Sequence, residues 1–299
     1  MRALVTGGSG FVGGHLCAHL SKMGDEVVST DAEVDVAELD ALRASLLGER
    51  PEVVYHLAAL SHVGESWSDP TDVVRVNVLG SANVLAAARA ISPPPLLIMV
   101  SSADAYGSLS EEDLPVTESS PLRPVSPYGA SKAAAEHLAL QAWRGFSQPV
   151  IVMRPFNHFG PGQPASFAVS AFAKRIVEAQ REGAADLAVG TLSTRRDYTD
   201  VRDVVRAYRM VALSGRTGSV YNVCSGKDLS LREVADRLVR LAGVDLELRV
   251  DPALVRPVDL PVLRGDAGAL RRDTGWEPTI ALDATLADIL AYWRGRYDD

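Results

Sequence analysis

A tyrosine and a lysine stand four residues apart in Y-G-A-S-K, Tyr128 to Lys132. On a helix that spacing puts both side chains on one face. A nearby ammonium favours the phenolate, so the spacing predicts a tyrosine of lowered pKa. A serine, Ser102, stands just past an apolar run, Leu96 to Val100, that reads as a buried strand. Its hydroxyl can hydrogen-bond a reacting oxygen while the tyrosine moves a proton to or from that oxygen. Ser102 lies in S-S-A-D-A-Y-G, Ser101 to Gly107, and Asp104 in the same stretch is a fourth catalytic candidate. Three roles stay open for it: orienting a substrate hydroxyl, capping the turn after the strand, or acting as a base.

A second constellation supplies the electron carrier. T-G-G-S-G-F-V-G, Thr6 to Gly13, has glycines at Gly7, Gly10 and Gly13, between an apolar strand pattern and a helical one. Glycine is needed where the chain turns with positive φ and where backbone must approach a pyrophosphate. The helix start, Phe11 and Val12, then offers free N–H groups to the phosphates. Asp31 follows Gly13 by 18 residues, at the end of the second strand pattern. An acid there accepts both ribose hydroxyls of NAD and repels the extra phosphate of NADP. NAD is therefore expected, with NADP left open because Arg43 lies close enough in sequence to compensate. Leu57, Ala58 and Ala59 end the third strand with small residues that let a cofactor lie close. Beside a bound nicotinamide, Tyr128, Lys132 and Ser102 suit hydride transfer coupled to proton transfer at an alcohol or carbonyl carbon, and Lys132 can also hold the nicotinamide ribose.

These groups need a frame. Strand patterns at 2–5, 26–30, 53–57, 96–100 and 150–153 alternate with helical patterns at 11–23, 74–90 and 131–143. Such alternation predicts α/β architecture: a Rossmann-like, doubly wound parallel sheet with a smaller C-terminal α/β substrate-binding lobe. Residues 1–155 form the dinucleotide-binding domain in this reading, and 200–225 return to it. Residues 156–199 and 226–299 form the second lobe. The stretch 157–164, rich in Gly and Pro, reads as a loop.

Bulk properties narrow the partners. The chain has 299 residues and a net charge of -8, which argues against nucleic acid or an anionic membrane. No apolar segment approaches membrane-spanning length, and the first residues lack a signal peptide's pattern, so the cytoplasm is expected. Cys17 and Cys224 make no disulfide framework. Six histidines form no ligand cluster in the sequence, so no metal is expected.

T-G-G-S-G-F-V-G, H-L-A-A, S-S-A-D-A-Y-G, Y-G-A-S-K, R-P-F-N and T-G-W-E-P together resemble the extended short-chain dehydrogenase/reductase family, the NAD-dependent epimerases and dehydratases. The resemblance spans residue 1 to about 280. It implies Tyr128 as acid/base, Lys132 as its partner, Ser102 as third catalytic residue, and a nucleotide-diphosphate sugar as substrate. R-P-F-N-H-F-G-P-G-Q, T-R-R-D-Y-T-D-V-R-D and R-P-V-D-L-P-V-L-R-G-D are most similar to the GDP-mannose 4,6-dehydratase and GDP-4-keto-6-deoxymannose reductase group. That likeness implies Asn157 as a nucleotide-sugar contact and Arg196 and Arg256 as diphosphate ligands; planar guanidinium groups suit phosphate oxygens. The resemblance implies an Asp-Glu pair in dTDP-glucose dehydratases, and a Glu at the second position in GDP-mannose dehydratases, where this chain has Ala103-Asp104. A methyl group cannot donate a proton, so the departure favours a reductase of a GDP-4-keto-6-deoxyhexose, giving a GDP-rhamnose type product. A nucleotide-sugar 4-epimerase or 4,6-dehydratase with tightly bound NAD is the alternative. A non-catalytic dinucleotide-sensing module is the alternative from another class. Family members commonly dimerise through Ala/Leu-rich helices, which implies a homodimer.

Overall fold

In the computed structural model, which describes residues 1–31, 33–251 and 260–298, the alternating patterns become a parallel sheet. Its strands are β1 (Arg2–Thr6), β2 (Glu26–Thr30), β3 (Val53–His56), β4 (Leu96–Val100) and β5 (Val150–Pro155). A late strand, Val220–Val223, pairs with the outer edge of β5. The spatial order is β2, β1, β3, β4, β5 and then this last strand, every pair parallel.

Residue type and pleat explain why helices cover both faces. Side chains alternate along a strand. Ala3, Val5, Val53, Tyr55, Ile98, Ile151 and Met153 point into one apolar cluster. Leu4, Val54, Leu97, Met99, Val150 and Val152 point into the opposite one. Near-continuous apolar strands of this kind must be buried on both sides. Helix α1 (Phe11–Lys22) contributes Leu16 and Leu20 to the first cluster. Helix α2 (Leu39–Glu49) contributes Leu42 and Leu46 to the second.

Register places the functional loops side by side. Thr6 pairs with Thr30 on one side and with His56 on the other, and His56 pairs with Met99. The chain leaves β1 toward β2 on one flank and finds β3 on the other. This is a topological switch point, where open α/β sheets hold ligands at the carboxyl ends of their strands.

Two expectations about elements are revised. The helix read from Val74 starts at Pro70, and its Val74–Leu79 portion is π-helical before a regular helix, Gly80–Arg89. The widened turn holds Asn77, whose amide accepts from Leu60 N–H (2.8 Å) and donates to Leu60 O (3.1 Å) and Ser131 Oγ (2.9 Å). The stretch read as a loop opens with a short strand, Asn157–Phe159, paired in parallel with Tyr198–Asp200. Those partners lie about forty residues on, so the local Gly/Pro signal hides the pairing.

The rest of the second half builds a smaller α/β assembly. Helices Ala168–Glu182, Leu231–Ala242 and Leu282–Asp298 pack on one another around Phe172, Ile176, Val234, Leu238, Leu286 and Ile289. Helix Val201–Ser214 instead packs against α1 in the first cluster. Leu263, Ala267, Leu270 and Trp276, expected in the smaller lobe, also join that cluster. Among the described residues no helix is long and apolar enough to cross a membrane.

Candidate active site

The glycine loop closes on itself and on the third strand. Gly7 has φ +74°, and a Cβ there would lie 2.9 Å from Ala58 N. A Cβ on Gly13 would lie 2.0 Å from Gly7 O. Neither position accepts a side chain, so the loop after β1 stays flush with Ala58. Gly10 is the N-cap of α1 and supplies no side-chain cap. The first-turn N–H groups, from Phe11 onward, thus remain available to an anionic group. A dinucleotide pyrophosphate fits this cradle.

Asp31 ends beside the same loop. Its two carboxylate oxygens accept Ser9 N–H at 2.9 and 3.0 Å. Its own N–H donates to the Glu33 carboxylate at 2.9 Å. A carboxylate has about four lone-pair positions, so Asp31 keeps capacity for ribose hydroxyls. Glu33 adds a second negative charge beside Asp31.

The catalytic candidates come together at the end of β4. Helix Pro127–Phe146 starts with Ser126 accepting Gly129 N–H at 3.0 Å and with Pro127 at its first position, a helix start favoured by both residue types. That start sets Tyr128 in the first turn and Lys132 one turn on, with the Lys132 ammonium 6.0 Å from the Tyr128 ring centre. Lys132 Nζ donates to Val100 O at 2.8 Å. Ser102 caps the short turn Ala103–Ala105: its Oγ accepts Asp104 N–H at 3.1 Å and donates to Asp104 Oδ2 at 3.0 Å.

Electrostatics here reverse one expectation. Tyr128 is buried, and burial pushes its phenol well above the ordinary value, with the Asp104 carboxylate adding to the rise and Ser102 opposing it. The lysine does not lower it as its spacing suggested, because desolvation of the phenolate outweighs an ammonium turned toward Val100 O. Lys132 is itself pushed down to about 8 by burial. The phenol is therefore a held proton, suited to donation.

Residues with no spacing signal brace this arrangement. Ser81 Oγ donates to Asn77 O (2.6 Å), so it accepts from His56 Nε2–H (3.0 Å), leaving His56 Nδ1 to accept from Thr6 Oγ1 (2.8 Å). His56 is neutral; burial first, and then the Lys132 charge, lower it to about 3. Asn77 and Ser131 continue the chain to Tyr128 O. The partners lie tens of residues apart, which hides them in the sequence, although H-L-A-A marks His56.

The substrate side is less assembled. Asn157 is exposed on its short strand. Arg196 donates to Arg195 O at 2.8 Å and to Leu260 O at 2.7 Å. Arg256 lies outside the described residues. Arg195 and Arg264 both pair with Asp228. Among the described residues no group of three His, Cys, Asp or Glu could hold a metal ion.

Comparison with known proteins follows the same lines. The profile of the NAD dependent epimerase/dehydratase family matches residues 3–224. The chain is 39% identical to GDP-6-deoxy-D-mannose reductase of Pseudomonas aeruginosa, over 99% of this chain and 98% of that one. The structure of RMD from Pseudomonas aeruginosa complexed with NADPH superposes with a TM-score of 0.91 at 37% identity, covering 99% of this chain and all of that one. The UDP-glucose 4-epimerase of Thermus thermophilus in complex with NAD gives a TM-score of 0.88 at 31% identity, covering 99% of each chain.

Proposed function

The chain belongs to the NAD dependent epimerase/dehydratase family, and from that membership and the site geometry we propose that it reduces a GDP-4-keto-6-deoxyhexose to a GDP-rhamnose type sugar. It is an NAD(P)-dependent enzyme. The observation that carries the reductase reading is the Ser102–Asp104 pair. Asp104 is bound to Ser102, and the residue before it is Ala103, whose methyl group cannot serve as the second acid that elimination needs. Likeness to a GDP-6-deoxy-D-mannose reductase over nearly the full length points the same way.

Each residue then has a task. A reduced nicotinamide bound in this cradle would supply the hydride chemistry for a C4 carbonyl. Ser102 hydrogen-bonds the C4 oxygen and Tyr128 gives it the phenolic proton, so the carbonyl becomes a secondary alcohol. Water returns a proton to Tyr128. Lys132 would hold the nicotinamide ribose and would offset the charge that appears on Tyr128. Asp104 keeps Ser102 in place and orients a sugar hydroxyl. Gly7, Gly10, Phe11, Val12 and Gly13, with Leu57, Ala58 and Ala59 beside them, would hold the dinucleotide. Asn157, Arg196 and Arg256 take the nucleotide sugar. Exposed Val74, Leu79 and Phe146 support a homodimer formed by the helices that carry them, and the cytoplasm is the compartment this reading assigns.

The test supplies purified protein with GDP-4-keto-6-deoxymannose, GDP-mannose, UDP-glucose or dTDP-glucose, with NADH or NADPH. Cofactor absorbance is followed and products are identified by mass and NMR. Oxidation of the cofactor only with the keto sugar, with a product two hydrogens heavier, is expected. A product of unchanged mass from an ordinary nucleotide sugar would mean epimerisation. A product lighter by one water would mean dehydration. Cofactor binding without any turnover would leave a sensing module.

Asp31 and Glu33 favour NADH over NADPH. Charge-assisted hydrogen bonds contribute about 1.5–3 kcal/mol, a factor of about 10 to 100. Asp31→Ser should therefore lower kcat/KM for NADH by at least about 10-fold while raising it for NADPH. Equal kcat/KM for both cofactors in the unaltered enzyme would sink the preference.

A further inference from the structure

The cofactor loop and the Asn157 strand meet in a small aromatic cluster outside the chemistry described above. Phe11, in the first turn of α1, stands edge-on to His15, with ring centres 5.4 Å apart and planes at 84°. The same ring lies parallel to His158, at 6.4 Å and 7°. His15 Nε2 is 2.9 Å from Pro161 O. A carbonyl only accepts, so His15 donates from Nε2. His158 likewise donates from Nδ1 to Phe156 O at 2.8 Å, and Gln163 Nε2 donates to His158 O at 3.0 Å.

The backbone between these rings leaves no slack. A Cβ on Gly160 would lie 2.6 Å from Val201 Cγ1 and 3.8 Å from Phe11 Cζ. The segment from Asn157 to Gln163 is thus seated on the helix turn whose N–H groups face the cofactor. Asn157 immediately precedes His158. Packed contacts of this kind shift together rather than one at a time. A ligand that moves one side of the cluster therefore moves the other, and the two sites bias one packed arrangement.

We infer that Phe11, His15 and His158 form a latch that couples the two binding sites, so that cofactor bound at α1 strengthens nucleotide-sugar binding at Asn157. This rests on the proposed role of Asn157 as a nucleotide-sugar contact. Coupling is reciprocal, because both orders of binding reach the same ternary state. His15 and His158 are positioning residues in this arrangement, and neither touches the reacting atoms.

The experiment titrates GDP into the full-length protein by calorimetry, with and without saturating NADH. It is repeated with His15→Ala and with His158→Leu, each checked for folding by circular dichroism. Coupling between sites is typically about 5- to 150-fold, and the lower end is expected of a cluster this small. GDP should bind about 5- to 10-fold tighter with NADH present, and the ratio should fall toward one in His15→Ala. His158→Leu should give the same loss, which keeps the test valid if one variant folds poorly. A merely structural contribution would weaken GDP equally in both states and leave the ratio unchanged. GDP binding with a ratio of one in the unaltered protein overturns the latch alone. Failure of GDP to bind in either state overturns the substrate reading and the latch with it.

Discussion

Tyr128→Phe should lower kcat by about 10³-fold while NADH binding stays within about 3-fold of the unaltered enzyme. General acid catalysis contributes typically about 10²–10⁴, and Tyr128 is the group proposed to supply it. Its phenol is buried and held protonated by desolvation. Phenylalanine keeps the ring and its packing but has no proton to give. The alkoxide forming at C4 would then face Ser102 alone. Steady-state rates with a 4-keto nucleotide sugar measure kcat, and NADH fluorescence titration measures binding. A loss below about 10-fold would show that another group delivers the proton. An equal loss in NADH affinity would show that the ring, and not the hydroxyl, is what the site needs.

The local features of this site were legible from the chain. Gly7, Gly10 and Gly13 sit between a strand and a helix, and the structure shows why side chains are excluded at the first and last of them. Tyr128 and Lys132 face one way because a helix starts where Ser126 and Pro127 allow it to start. The two-sided apolar strands announced a covered sheet. What stayed hidden depends on partners far apart in the chain. The Asn157–Phe159 pairing, the Asn77 bracket and the hold of Asp228 on Arg195 and Arg264 are of this kind. The direction of the tyrosine shift was misjudged for a related reason. Spacing tells how near an ammonium lies, whereas burial is set by everything packed around the phenol. Asp104 shows the same limit. The hold of Ser102 on both its N–H and its carboxylate is visible only in the structure.

Lys132→Met separates what the site does from what it costs the fold. Lys132 falls from an ordinary 10.5 to about 8 through desolvation. A base depressed in this way is destabilising while charged. The penalty is fully present below about pH 8 and is relieved as pH rises toward 10.5, because the unfolded chain binds the proton more tightly across that window. The shift corresponds to a penalty on the order of 3 kcal/mol. Methionine fills similar space without charge, at the expense of the donor to Val100 O. That lost bond does not depend on pH, so the pH trend isolates the ammonium. The stability of the variant minus that of the unaltered protein should be greatest near pH 7 and shrink steadily between pH 8 and 10.5. At the lower pH the relative gain should raise Tm by about 2–4 °C per kcal/mol. Activity should move the opposite way, with kcat/KM down about 10²-fold or more, since Lys132 is the cation assigned to offset charge on Tyr128. Thermal melts across pH, read beside kinetics at pH 7, measure both. A stability difference that stays flat with pH would mean that Lys132 is not held in the strained, charged form at neutral pH. The reading of it as the counter-charge for Tyr128 would then have to be given up.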